Sequence, residues 1–173
     1  MPEFINPIEI LDQLDLRSSM IAADFGCGSG GWTIPLGRIL DKGRVYAVDI
    51  QEDVLSSMLG KAKLFSVFNI KKVIADVEVG VPEIKDYSCD IVLLTDLLFQ
   101  VEDKQAVFRE ANRALKPEAK LLIVDWNPGS RFGPKEGRIS KEEAKDLAMN
   151  NGFRFQAEIP GGDYHYCLVF VKQ

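Results

Sequence analysis

Apolar positions along this chain fall into short continuous runs that alternate with stretches of helical spacing. The runs at 20–25, 44–50, 72–77, 90–95 and 120–126 have the length and the Val, Ile and Leu content of buried strands. A helix through Trp32, Ile34, Leu36 and Ile39 to Leu40 follows the first run, and Lys42-Gly43 stops it. A second helix is predicted at about 52–63. A third, at 102–116, carries Val107, Phe108, Ala111, Ala114 and Leu115 at helical spacing and ends before Pro117. Asn6-Pro7 starts a short helix over about 6–17 with Ile8 and Leu11 on its apolar side. Gly80 and Pro82 break the crossover before residue 90, leaving room for no more than a turn or two of helix. Ser140-Lys141-Glu142-Glu143 is a capping box, in which serine and glutamate satisfy each other's otherwise orphaned backbone N–H groups; Gly152 closes the helix it opens.

The last two apolar runs, 153–159 and 164–172, are separated only by Pro160-Gly161-Gly162-Asp163. A connection that short permits only an antiparallel pair, because a parallel crossover takes a dozen or more residues. The pattern therefore predicts an α/β fold: a Rossmann-like, mostly parallel seven-stranded sheet with helices on both faces and an antiparallel last strand. A chain of 173 residues is long enough for one sizeable core and short for two, so residues 1–173 are expected to form a single domain.

Composition narrows the class of function. A formal net charge of −5 repels a phosphate backbone over most of the surface, so no nucleic-acid partner is expected. Cys27, Cys89 and Cys167 are odd in number and widely spaced, without a Cys/His cluster, which suggests buried thiols and no metal site. Met1-Pro2-Glu3-Phe4 lacks a basic region followed by an apolar run, and no stretch has the length of a membrane span, so a cytoplasmic location is expected. Nothing in the sequence specifies an oligomeric state.

Asp24-Phe25-Gly26-Cys27-Gly28-Ser29-Gly30-Gly31 lies between a strand and a helix. Glycines there allow a tight turn and the approach of a ligand to the backbone, and the free N–H groups of the loop and helix start offer donors to it. Gly26, Gly28 and Gly31 satisfy the dinucleotide spacing GxGxxG, whereas Gly26, Gly28 and Gly30 satisfy GxGxG, so spacing alone does not choose the ligand. Asp49, at the end of the second strand, can accept from both hydroxyls of an adenosine ribose, which fits NAD and S-adenosylmethionine equally. Asp24, at the end of the first strand, would oppose a pyrophosphate and favour an ammonium or a sulfonium. Asp76, at the end of the third, can accept from an adenine amino group.

The segment 23–30 resembles the first motif of the class I S-adenosylmethionine-dependent methyltransferases, and Val45-Tyr46-Ala47-Val48-Asp49-Ile50 resembles their acidic second-strand motif. The segment 89–103, with Arg109-Glu110 and Arg113-Ala114-Leu115-Lys116-Pro117, is similar to the ubiquinone/menaquinone-type branch. The resemblance runs from about Met20 onward. It implies S-adenosyl-L-methionine as cofactor, helices between all of the first six strands, and cofactor contacts at Asp24, Gly26, Gly28, Gly30, Asp49, Ile50, Asp76, Val77 and Thr95. Two departures stand out: Glu118-Ala119 replaces the usual glycine pair, and Phe99-Gln100 stands where many relatives carry histidine.

Ligands of open α/β sheets bind outside the carboxyl ends of the strands. The acceptor, a small molecule of unspecified identity, is therefore expected near Asp96, Phe99, Trp126 and Tyr164. Asp96 and His165, the single histidine, are the candidate catalytic groups. Arg131, Lys135 and Arg138, in the Gly/Pro-rich loop 127–138, are either a solvated face or an anchor for an anionic acceptor. An NAD-dependent oxidoreductase and a non-catalytic S-adenosylmethionine-binding or scaffold protein are the rival readings.

Overall fold

The computed structural model describes residues 4–173; residues 1–3, at the start of the segment read above for a leader, lie outside the described residues. Along the chain run α1 (Pro7–Leu11), β1 (Ile21–Phe25), α2 (Thr33–Ile39), β2 (Arg44–Asp49), α3 (Glu52–Leu64), β3 (Ile70–Ile74), β4 (Cys89–Thr95), α4 (Lys104–Ala114), β5 (Leu115–Trp126), α5 (Lys141–Asn150), β6 (Phe153–Ile159) and β7 (His165–Lys172). The strands form one seven-stranded sheet in the order β3-β2-β1-β4-β5-β7-β6. β1 to β5 pair in parallel, and β7 is antiparallel to both of its neighbours. The reversed strand is thus wedged inside the sheet, and the edge beyond it is β6. Phe108, Ala111, Ala144 and Ala148 of α4 and α5 cover one face. Leu11, Leu36 and Leu40 cover the other with α1 and α2, and α3 adds Leu55 and Met58 beside them.

Several boundaries differ from the sequence expectation, each for a local reason. The helix expected over about 6–17 ends at Leu11, since Asp12 caps it and Asp15 takes a left-handed φ of 52°. Leu14 nevertheless stays buried. β3 begins and ends earlier than 72–77 because it is the sheet edge, where one exposed face accommodates Lys71. β5 starts at Leu115 and runs through Pro117, with a register shift against β4 between Cys89 and Ile91. Glu118 sits there at a φ of +61°, the conformation that the glycine pair of relatives would adopt without strain.

The helix that the resemblance implies between β3 and β4 does not form, as Gly80 and Pro82 foretold. Side chains of α4 hold this crossover instead. The Val81 N–H donates to Glu110 Oε1 at 2.9 Å, and Arg113 donates to the carbonyls of Val81 and Ile84 and to the carboxylates of Glu110 and Asp86. Burial alone would raise the Glu110 carboxyl, but hydrogen bonds from Arg113 and Val81 and the guanidinium charge bring it below its ordinary value. The capping box of α5 is present, with Ser140 and Glu143 bonded reciprocally.

Candidate active site

The glycine loop lies where the strand order reverses, between β1 and β4, so its mouth opens at the carboxyl ends of the strands. Two backbone bonds stitch it to β2: the N–H groups of Gly26 and Cys27 both donate to the Val48 carbonyl, at 2.8 and 3.0 Å. The Asp49 carboxylate continues the seam. Its Oδ2 accepts from the Gly28 N–H and its Oδ1 from the Gln51 N–H, both at 3.0 Å. A carboxylate has about four lone-pair sites, so Asp49 keeps acceptor capacity for two further donors. Gly28 has a φ of +50° and nothing within 4 Å of where a Cβ would stand, so at this point bare backbone faces open space.

These groups border a cleft of about 470 Å³. Of the expected cofactor residues, Gly26, Gly28, Asp49, Ile50, Asp76 and Val77 line it, while Asp24, Gly30 and Thr95 do not. Ser29, Gln51, Val54, Glu78, Leu97 and Val101 also line it without having been expected as cofactor residues, as does Gln100, noted above only as a departure from relatives. Leu97, Gln100 and Val101 lie within the motif after β4, which was the signal available for them. Asp76 stands two residues beyond the end of β3, in a turn that its Oδ1 closes by accepting from the Glu78 N–H at 2.9 Å.

Asp24 departs from the role expected of it. It is fully buried behind the loop, where Thr33 Oγ1 donates to its Oδ2 at 2.6 Å and its Oδ1 has no partner. Burial pushes its carboxyl up to about 7; the Thr33 bond offsets this in part, and the Asp49 charge adds to it. Asp24 therefore braces the first turn of α2 from within, and any influence on a cationic ligand is exerted through the loop.

The expected catalytic pair comes together across the sheet. Asp96 follows β4 with a left-handed φ of 51°, and its side chain is 42% exposed. Its Oδ1 is 3.3 Å from Nε2 of His165, the first residue of β7. The two lie within ion-pair distance but off hydrogen-bond alignment, and neither imidazole nitrogen has another partner. The buried imidazole packs on the Trp126 ring with 4.1 Å between centroids. Sequence reasoning missed Asp125, which is buried and accepts from the N–H groups of Leu98 and Trp126, both at 2.8 Å. It ties the segment after Asp96 to β5. Burial, chiefly, raises its carboxyl to about 6, the two backbone bonds opposing and the Asp96 charge assisting.

The loop 127–138 folds over Trp126, and Arg138 organises it. The guanidinium donates to the carbonyls of Asn127, Pro128, Ser130 and Phe132 and lies over the Trp126 ring. Arg138 is therefore no free anchor for an acceptor, since both terminal nitrogens are engaged by the loop and its Nε is buried without a partner. Arg131 and Lys135 remain exposed. Tyr164 is buried in an aromatic group with Phe4 and Phe132, both at 5.1 Å between centroids, and Phe99 is half-buried. A Cβ at Gly137 would stand 2.2 Å from the Phe99 carbonyl oxygen, so the loop closes on Phe99 only with glycine there. All three cysteines are buried thiols, as expected. Among the described residues no helix is long and apolar enough to cross a membrane.

Comparison with known proteins agrees with this geometry. The family model described as a methyltransferase domain matches residues 23–123. A demethylmenaquinone methyltransferase of Staphylococcus aureus is 32% identical over 117 residues, 67% of this chain and 47% of that protein. Phosphoethanolamine N-methyltransferase 1 of Triticum aestivum is 28% identical over 124 residues, 70% of this chain and 24% of that protein. The chain thus spans about half the length, or less, of these curated relatives. Among solved structures, a SAM-dependent methyltransferase from Aquifex aeolicus superposes with a TM-score of 0.90 at 23% identity, covering 98% of this chain and 91% of that one. A Haemonchus contortus phosphoethanolamine N-methyltransferase 2, solved with phosphomonomethylethanolamine and S-adenosylhomocysteine, superposes with a TM-score of 0.79 at 16% identity, covering 96% of this chain and 52% of that one. With the glycine loop, the acidic end of β2 and the reversed strand β7 all in place, this chain belongs to the class I S-adenosylmethionine-dependent methyltransferase family.

Proposed function

We propose that this chain methylates a small or medium-sized organic acceptor in the cytoplasm, using S-adenosyl-L-methionine. The observation that carries this reading is the single cleft onto which the Gly28 backbone, the Asp49 carboxylate and Asp76 all open. Asp49 would take the ribose hydroxyls, Asp76 the adenine amino group, and Ile50 and Val77 the apolar faces of the base. The cofactor supplies a methyl group already activated on a sulfonium, so the chain mainly has to hold the acceptor in line and exclude water.

Asp96 is the group we assign to touch the acceptor. It is half-exposed beside the cleft and can receive a proton from an acceptor that must lose one. His165, buried behind it, is a positioning residue: its imidazole, 3.3 Å away, bounds the Asp96 carboxylate from the far side. Phe99, Trp126 and Tyr164 would supply apolar walls, and Arg131 with Lys135 an exposed cationic rim. The relatives above are named for unlike acceptors, one a quinone precursor and one an amine phosphate, and the family match ends at residue 123. The shared part therefore holds the cofactor cleft together with Asp96 and Phe99. The rest of the acceptor side, from Trp126 to His165, lies beyond it.

Calorimetric titration with S-adenosylmethionine, S-adenosylhomocysteine and NAD, together with a methyl-donor turnover assay, tests the reading. Binding of the two sulfur ligands with turnover supports it. Tight NAD binding without S-adenosylhomocysteine binding would favour the oxidoreductase alternative, and cofactor binding without turnover on any acceptor would favour the scaffold alternative.

A further inference from the structure

At the amino ends of β2 and β3, at the opposite end of these strands from the cleft, the chain presents apolar side chains that are exposed. Leu64 ends α3 and is 85% exposed; Phe65 and Phe68, in the turn that follows, are 49% and 76% exposed. The patch continues along the groove between α2 and α3 to Ile8 of α1, itself 51% exposed, and Phe65 borders the recess on either side. Isolated exposed apolar residues need no explanation, but a contiguous group does.

Cations surround this group. Lys61 and Lys63 occupy the last turn of α3, Arg38 the last turn of α2, and Lys42 and Arg44 the turn into β2. Arg38 lies over the Phe65 ring, 5.9 Å from its centroid. None of these cations forms an ion pair among the described residues, although the molecule pairs many of its other lysines and arginines. A single carboxylate, Asp41, borders the recess. The acidic residues of α3, Glu52 and Asp53, are in its first turn, at the far end of the helix. A face so cationic is at odds with a chain whose net charge is −5.

We propose that this face docks on an anionic lipid bilayer. The apolar tips would enter the boundary between headgroups and acyl chains, while the ring of ammonium and guanidinium groups meets the lipid phosphates. This combination of insertable apolar side chains and flanking cations is what an interfacial site requires, and neither component suffices alone. A second copy of the chain fits poorly, because two such faces brought together would oppose like charges. Docked this way, the amino edge of the sheet meets the membrane and the cleft faces water, where a soluble cofactor enters freely.

The test is co-sedimentation of the full chain with vesicles of pure phosphatidylcholine and with vesicles of equimolar phosphatidylcholine and phosphatidylglycerol. Binding is expected to the anionic vesicles only, and to fall steeply with added salt. Each cation near an anionic surface contributes about fivefold to partitioning, so Lys61→Glu with Lys63→Glu should lower it by well over tenfold. Leu64→Ser with Phe68→Ser should also release the protein, through lost insertion. All four side chains are exposed, so both variants should fold and bind S-adenosylhomocysteine unchanged, the acidic pair lowering the melting temperature slightly because it replaces cations that favour the carboxyl end of α3. Equal partitioning onto neutral vesicles, no partitioning at all, or partitioning unaffected by either double variant would overturn the proposal. So would retention of RNA on this face, or a dimer in light scattering that Phe68→Ser dissolves.

Discussion

The Gly28 N–H donates to Asp49 Oδ2 at 3.0 Å, so a carboxylate that lines the cleft also holds the glycine loop that lines it alongside. On the proposed reading, one residue would therefore serve both the ligand and the shape that receives it.

Asp49→Ala should weaken cofactor binding on the order of tenfold to a hundredfold, since it removes charge-assisted acceptors from the hydroxyls and frees Gly28 and Gln51. Asp49→Asn, which keeps an acceptor for one backbone N–H, should fall between the two. Calorimetry on folded variants decides this, and equal affinities across the series would remove Asp49 from the site.

Asp24 makes stability depend on pH with a definite sign. Its carboxyl titrates near 3.8 when unfolded and about 7 when folded, so the folded chain holds the proton longer. The stabilisation of the neutral form is complete below 3.8 and is lost as the pH rises through about 7. Asp24→Asn keeps an acceptor for Thr33 and has no proton to lose. The melting temperature of the parent should therefore decline relative to Asp24→Asn between these limits and run parallel above them, and parallel curves throughout would refute the assignment.

Glu118 occupies left-handed backbone with only a 4.0 Å approach of Arg154 as its ion-pair contact. Left-handed geometry costs a residue with a Cβ about 1 kcal/mol relative to glycine. Glu118→Gly should accordingly stabilise the chain by about that amount in urea titration, partly offset by the greater freedom of glycine when unfolded. A loss of stability would mean that the turn is held by something other than backbone preference.

Arg138→Ala should open the loop over Trp126, because four carbonyls lose their shared donor at once. Faster proteolysis within 127–138 and a red shift of tryptophan emission are expected. Arg131→Ala, by contrast, should change neither. If the two variants behave alike, Arg138 is not the organiser.

The parts of this site that could be read from the sequence are those whose geometry is local. A strand, a glycine loop and a helix in succession define the binding end of β1, and Asp49 is found by its distance along the chain from that loop. Asp125 is hidden because an acid within an apolar run reads only as a blemish in a strand; its role depends on Leu98 reaching it from the turn after β4. Arg138 is similar: its sign and place on a loop were legible, but the convergence of carbonyls on it was not. Asp24 was legible as a position, whereas its burial depends on how α2 packs. The early start of β3 was hidden because edge strands admit polar residues that central strands refuse.

The place of β7 has a consequence for how the acceptor side is assembled. β6 touches the sheet only through β7, and β7 seats itself against β5 with all eight of its residues buried. β6 can therefore join the sheet only with β7 or after it, and the two form one hairpin across the 160–163 turn. His165 begins that hairpin's inner arm and Tyr164 precedes it. The histidine beside Asp96 and the buried Tyr164 thus both depend on the seating of this one hairpin against β5, and a lesion in the 160–163 turn should disturb both together.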